Sequence, residues 1–140
     1  MKIVILGGTG LIGNALQKSF SSNYQVDCFN RDAFQSVEHL ISLIEGSDIV
    51  IQLSGSTISK RWSNKIVKEM WQSRVDTNLM LSEVIHSISA KPRVICASGI
   101  SFYAESSCDE PKTEKDPQGD GYLTSLNIAA FSIAIFKLVR

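Results

Sequence analysis

Little in this sequence points toward a polyanion, a metal or a membrane. Its charges cancel, with 14 Lys and Arg against 14 Asp and Glu in 140 residues, so no basic face is expected for nucleic acid. Cysteine is scarce. Cys28, Cys96 and Cys108 are odd in number and form no C-x-x-C pair, and two of them fall in predicted strands, so they read as buried thiols rather than as a disulfide framework or a metal site. His39 and His86 each stand alone on a predicted helix, without ligand spacing to a partner. No apolar run is long enough to span a bilayer, and Met1 and Lys2 lead straight into the first predicted strand with no signal-like region. Internal repeats and low-complexity segments are absent. The expectation is a single cytoplasmic domain, 1–140, a neutral small-molecule binder that touches neither nucleic acid nor membrane.

What is present is an alternation of short apolar runs and longer helical patterns. Runs at 3–6, 26–29, 49–53 and 94–97 have the continuous apolar character of parallel strands covered on both faces. Helical patterns fill about 11–21, 36–46, 63–88 and 122–137, with Ser63 as N-cap of the third. The fold class is therefore α/β, a doubly wound parallel sheet. Residues 31–36 leave little room for a crossover and a further strand, so the usual third strand is expected to be short or missing and the adenine side of a nucleotide pocket open. The helix at 63–88 would be roughly 39 Å long at the α-helical rise, with Ile66, Val67, Met70, Trp71, Val75, Leu81, Val84, Ile85 and Ile88 forming a mostly buried stripe. Trp62 and Trp71 are expected to pack on the sheet or a second subunit rather than on a ligand. Residues 104–121, rich in Ser, Asp, Glu, Lys, Pro and Gly, read as a mobile surface loop of the kind that covers a site.

The richest signal is Gly7-Gly8-Thr9-Gly10-Leu11-Ile12-Gly13, set between the first strand and an amphipathic helix carrying Ile12, Ala15, Leu16 and Phe20 on one face. A strand turning into a helix there presents free N–H groups and a positive dipole end to a pyrophosphate. Gly7 serves the tight turn, Gly10 the close approach of backbone to phosphate in an unusual turn conformation, and Gly13 the packing of helix on strand. Thr9, Leu11 and Ile12 complete this candidate cofactor turn. At the end of the second strand, Asn30 and Arg31 stand where an acidic residue would select a ribose 2′-hydroxyl; Arg31 suits a 2′-phosphate, so NADP is favoured over NAD. Asp32 competes, as a surface partner that would neutralise Arg31.

Several separate blocks resemble the extended short-chain dehydrogenase/reductase group, in particular its epimerase-like branch of nucleoside-diphosphate-sugar epimerase-like proteins. The glycine turn looks like that group's G-G-T-G-F-I-G. Ile51-Gln52-Leu53-Ser54-Gly55 resembles its I-N-L-A-G strand end, Arg61-Trp62 with Ser73-Arg74-Val75 its R-W…S-R-V segment, and Cys96-Ala97-Ser98-Gly99-Ile100-Ser101-Phe102-Tyr103 its S-A-S-A-V-G-Y-Y. The blocks run from residue 1 to about 123. The resemblance implies a Rossmann-type domain holding NAD or NADP, with Leu53, Ser54, Gly55 and Ala97 at strand ends beside the nicotinamide. It also implies a chain that corresponds to the N-terminal part of a longer protein, without the substrate lobe. Ser54 and Ser98 also suit plain capping roles.

The wider superfamily pairs a Ser hydroxyl with a Tyr acid/base and a Lys four residues later, whose charge lowers the phenol pKa. By resemblance Ser98, or Ser101 with a different loop register, takes the hydroxyl role and Tyr122 the phenol role. The lysine is missing: Leu126 follows Tyr122 at that spacing and Ser107 follows Tyr103, while Lys112 and Lys115 lie in the preceding loop. The branch itself does not keep a standard Tyr/Lys pair, and this chain has Asn127-Ile128-Ala129-Ala130-Phe131 where the branch tends to carry Trp-Glu. Three functions follow as alternatives: an NADP-dependent epimerase or oxidoreductase, a non-catalytic NAD(P)H-binding sensor or interaction protein, and an assembly role through a homo-oligomer built on the 63–88 helix. The segment 132–139 is either a helix end or an incipient strand.

Overall fold

The computed structural model describes the backbone of residues 1–105 and 109–138, and side chains as far as residue 132. The expectations on Ser107, Cys108 and Val139 lie outside the described residues. Chain order is β1 (Lys2–Leu6), α1 (Leu11–Phe20), β2 (Gln25–Phe29), α2 (Val37–Ile44), β3 (Ile49–Gln52), α3 (Asn64–Trp71), α4 (Thr77–Ser87), β4 (Arg93–Cys96) and α5 (Tyr122–Leu138). The strands form one parallel sheet in the order β2-β1-β3-β4, with Ile5 in register with Cys28 on one side and with Ile51, then Ile95, on the other. This is an α/β Rossmann-type sheet. The chain steps outward from β1 to β2 and then returns to the opposite side of β1, so the carboxyl ends of β1 and β3 flank a crevice.

Alternation along the strands sorts side chains onto the two faces. Val4, Leu6 and Val50 pack with Leu40 and Ile44 of α2 and Leu81, Val84 and Ile85 of α4. Ile3, Ile5 and Ile51 meet Leu16 and Phe20 of α1. A third cluster, Met70, Val75 and Leu126, lies between α3 and α5. The Ser63 hydroxyl caps α3 by accepting from Ile66 N–H at 3.4 Å, and Ser36 caps α2 by accepting from His39 N–H at 3.1 Å, which follows the same rule.

The short connection after β2 is as the sequence reading expected: residues 31–34 form a single 3₁₀ turn that runs almost directly into α2, leaving β2 at the sheet edge. Two details differ from that reading. The helix at 63–88 is not uniform: Gln72–Asp76 adopts a π-helical turn between α3 and α4, and Trp71 is 38% exposed instead of joining the core. On α1, Ile12 is 60% exposed and Ala15 is also exposed, while Ile95 on the same sheet face of β4 is 48% exposed. Among the described residues, the apolar cluster on that face joins the strands to α1 and does not include Ile95. The expected loop at 104–121 is tied at its ends by an antiparallel bridge between Tyr103 and Gln118 and by Gly119 N–H donating to Phe102 O at 3.0 Å. Residues 132–138 continue α5, the helical alternative.

Candidate functional site

The glycine turn is built from backbone contacts that a Cβ would obstruct. Gly7 and Gly8 N–H both donate to Phe29 O, at 2.7 and 3.1 Å, tying the end of β1 to the end of β2. Gly7 has φ +87°, left-handed, and a Cβ there would stand 2.9 Å from Leu53 C and Ser54 N. A Cβ at Gly13 would stand 2.6 Å from Gly8 Cα and O, so α1 lies directly on the turn. Gly8, which the sequence reading assigned no role, is pinned by Cys28 of β2, whose Cβ would be 2.5 Å away. Gly10 is different. Its backbone is ordinarily extended, φ −71° and ψ 173°, and a Cβ would meet only Gly7 O at 3.3 Å. Its glycine is therefore not required by backbone strain; the space above it is open.

That space is a cleft of about 450 Å³ lined by Gly7, Thr9, Gly10, Asn30, Arg31, Asp32, Leu53, Ser54 and Gly55. The first helical bond of α1 is Asn14 N–H to Gly10 O at 2.9 Å, no side chain caps the helix, and its first turn holds no acidic residue. The N–H groups of Leu11, Ile12 and Gly13 thus sit at an uncompensated positive helix end. Thr9 Oγ1 donates to Asn30 Oδ1, fixing the rim. Among the described residues, the Ser54 hydroxyl is the one buried side-chain polar atom with no hydrogen-bond partner. A Cβ-free approach and a bare helix N-terminus in one cleft fit the pyrophosphate of a dinucleotide.

Arg31 takes a partner that the sequence reading did not offer. Its Nη1 lies 3.2 Å from Glu69 Oε1 on α3, and Lys60 Nζ lies 3.4 Å from the same oxygen; Asp32 is not the partner. The hydrogen bond and charge of Lys60, then those of Arg31, hold the Glu69 carboxyl below its usual range. The Arg31 side chain stays 65% exposed, so the pair is weak and the guanidinium remains at the mouth of the cleft.

A second cleft, about 230 Å³, opens on the other side of Leu53, Ser54 and Gly55 and reaches the end of β4. Ala97 and Ser98 line it, as do Gln52, Arg74, Asn78, Cys96, Ser101 and Asn127. Its floor is a buried amide chain absent from the sequence reading. Gln52 Oε1 accepts from Ser54 N–H at 3.1 Å, Gln52 Nε2 donates to Asn78 Oδ1 at 3.2 Å, and Asn78 Nδ2 donates to Ala130 O at 3.1 Å. Of the two candidate hydroxyls, Ser101 accepts from Asn127 Nδ2 at 2.9 Å. Ser98 is exposed and lines the cleft. Burial pushes the Cys96 thiol up to about 11.

Tyr122 does not join them. Its hydroxyl donates to Val67 O at 3.0 Å, its ring meets Trp62 edge-on at 5.6 Å, and it borders an outer groove with Trp71. The reason is helical geometry: α5 presents Leu123, Leu126 and Asn127 to the cleft, and Tyr122 sits about 100° round from Leu123. Leu126 is 1% exposed, a core position with no room for a cation. No Lys, His, Tyr, Asp or Glu is among the described residues lining this cleft, so no general acid or base titrating near neutrality faces it.

Comparison with known proteins agrees with this architecture. An epimerase family protein of Staphylococcus saprophyticus is 30% identical over 113 residues, covering 71% of this chain and 38% of the relative. One from Staphylococcus haemolyticus is 27% identical over 118 residues, covering 75% and 40%. The chain thus spans about two-fifths of the length of these curated relatives. Among solved structures, human epimerase family protein SDR39U1 with NADPH superposes with a TM-score of 0.80 at 23% identity, over 96% of this chain and 48% of that one. UDP-glucuronic acid 4-epimerase from Bacillus cereus, in complex with UDP-glucuronic acid and NAD, gives 0.82 at 16%, over 98% and 52%. The sequence profile of the NAD dependent epimerase/dehydratase family matches residues 3–125, and with the glycine turn, sheet order and strand-end crevice in place the chain belongs to that family.

Proposed function

We propose that this chain is the dinucleotide-binding part of a cytoplasmic epimerase- or oxidoreductase-like protein that prefers NADP to NAD and acts, in full-length form, on a small molecule such as a nucleotide sugar. The observation that carries the reading is the cleft over Gly10, bordered by the bare N-terminus of α1, by Ser54 at the end of β3 and by Arg31. Gly7, Thr9, Gly10, Leu11, Ile12 and Gly13 would hold the pyrophosphate, Asn30 and Arg31 the ribose end with its 2′-phosphate, and Leu53, Ser54, Gly55 and Ala97 the nicotinamide end. The bound nicotinamide supplies hydride transfer. Ser98 would donate its hydroxyl to an oxygen of the molecule beside it. Separate titrations with NADPH and NADH, followed by nicotinamide fluorescence, test the reading; equal affinities would remove the NADP preference, and no binding of either would remove the reading itself.

A second reading, a non-catalytic NAD(P)H-binding protein, is favoured by a specific observation. The Tyr122 hydroxyl is spent on Val67 O and no acid–base side chain lines the cleft among the described residues. Binding without substrate-dependent turnover would select it. Association between copies along α3 and α4, where Trp71 and Leu79 are exposed, belongs to both readings.

A further inference from the structure

Among the described residues, Arg74 is the one charged side chain lining the second cleft. The Arg74 guanidinium lies against Gly55, where an added Cβ would stand 3.2 Å from both Cζ and Nη2, so a side chain at 55 would displace it. Arg74 Nη2 donates to Ser56 O at 3.0 Å, and Nη1 reaches Met70 O at 3.4 Å and Ser73 Oγ at 3.5 Å. These contacts aim the group without neutralising it: no carboxylate is among its hydrogen-bond or ion-pair partners, and no Asp or Glu lines the cleft among the described residues. Burial lowers the Arg74 pKa from its ordinary value, and the group stays cationic at neutral pH. A half-buried guanidinium without a counter-ion carries an uncompensated desolvation cost. The π turn at Gln72–Asp76 that carries it toward Gly55 is a departure from regular helix of the kind that recurs at functional sites. Ser98, Ser101 and Asn127 line the same space, so a ligand held by its charge would find hydroxyl and amide partners beside it.

Resting on the dinucleotide reading above, we propose that Arg74 receives the anionic group, a carboxylate or a phosphoryl group, of the small molecule that enters this cleft. The guanidinium fork matches two oxygens of either group, and the exchange of water for an anion at a partly desolvated cation is favourable. Arg74 would then choose charged over uncharged substrates of the same shape.

The test uses the full chain saturated with NADPH, so that a free anion cannot settle at the α1 N-terminus. D-glucuronate and D-glucose, which differ in the carboxylate, and inorganic phosphate are titrated while the Arg74 Nε–H resonance is followed by NMR. Glucuronate and phosphate should shift it saturably and glucose should not. Arg74→Gln should weaken glucuronate binding by at least about tenfold while leaving NADPH affinity within about twofold, with partial recovery in Arg74→Lys. Gly55→Ala, which crowds the guanidinium but keeps its charge, should weaken glucuronate as well and serves where Arg74→Gln does not fold. An Arg74 resonance unmoved by both anions, or glucuronate binding unchanged in Arg74→Gln, overturns the proposal. Loss of NADPH affinity in Arg74→Gln on the scale of the glucuronate loss also overturns it, since Arg74 would then serve the dinucleotide. Should NADPH fail to bind the parent chain, the functional reading falls, while the resonance still reports whether Arg74 takes an anion.

Discussion

Gly10 and Gly13 occupy one motif, yet they should fail in opposite ways. At Gly13 an added Cβ would lie 2.6 Å from Gly8 Cα and O and 2.7 Å from Gly7 O. These neighbours are backbone and cannot rotate aside, so the turn or α1 must shift. Overpacking of this kind costs about 1–3 kcal/mol, and alanine returns up to ~1 kcal/mol of helix propensity. The net loss of ~1–2 kcal/mol in a chain of this size lowers Tm by roughly 3–8 °C in Gly13→Ala. At Gly10 the backbone is extended and a Cβ meets only Gly7 O at 3.3 Å. Gly10→Val should therefore cost less than the Gly13 change, about 1 kcal/mol, from a tight contact with Gly7 O and a poorer N-cap. Its methyl groups would stand in the approach to the bare helix end, so dinucleotide affinity should fall at least about tenfold, or ~1.4 kcal/mol. Thermal melts by circular dichroism and nicotinamide fluorescence titrations read the two effects separately. Undiminished NADPH binding in Gly10→Val would refute the assignment of this cleft to the pyrophosphate, and a parent-like melt for Gly13→Ala would refute the packing argument.

Arg31→Ala should narrow the preference for NADPH over NADH, whereas Glu69→Gln should widen it by releasing Arg31 from its carboxylate; paired titrations check both, and opposite or null changes would sink the 2′-phosphate role. The Cys96 thiol, raised to about 11 by burial, loses its proton at lower pH in the unfolded chain than in the folded one. Its contribution to stability is therefore complete below an ordinary thiol pKa of about 8.5 and lost as pH rises through about 11. Melts across that window should show a declining Tm that flattens in Cys96→Ala, and a pH-independent parent would contradict the burial. With Trp71 and Leu79 exposed on α3 and α4, the chain should self-associate at micromolar concentration; light scattering that returns a clean monomer would refute this.

The strands were legible because buried parallel strands are apolar on both faces, so Ile49 and Val94 announce β3 and β4 without reference to anything distant. The third-strand omission was legible from loop length alone. What could not be read locally were contacts between segments far apart in sequence: Glu69 reaching Arg31, Cys28 closing on Gly8, and Gln52 linking to Asn78. The misplacement of Tyr122 has a nearer cause. Spacing to Leu126 fixed which residue would be the lysine counterpart but not which side of α5 faces the cleft. Ile12 and Ala15 are exposed although they share the apolar stripe of α1, because only Leu16 and Phe20 of that helix reach the strand cluster, which no periodicity within α1 reveals. The π turn left no trace in the sequence either: the stripe as read steps four residues from Trp71 to Val75, and only the exposure of Trp71 in the structure reveals the change of phase.

The π turn at Gln72–Asp76 makes α3 and α4 into two differently phased halves of one rod. An extra residue in the turn advances everything after it by about 100°, so Met70 can address α5 while Leu81 and Val84 address the sheet and α2. Removing any one residue from this turn would leave a straighter, better hydrogen-bonded helix and a worse protein, because one half would have to rotate its buried stripe into solvent. The same deletion would carry Ser73 and Arg74 off the loop they grip at Ser56. Length in this helix is thus constrained to the single residue, even where the identity of the exposed side chains is free.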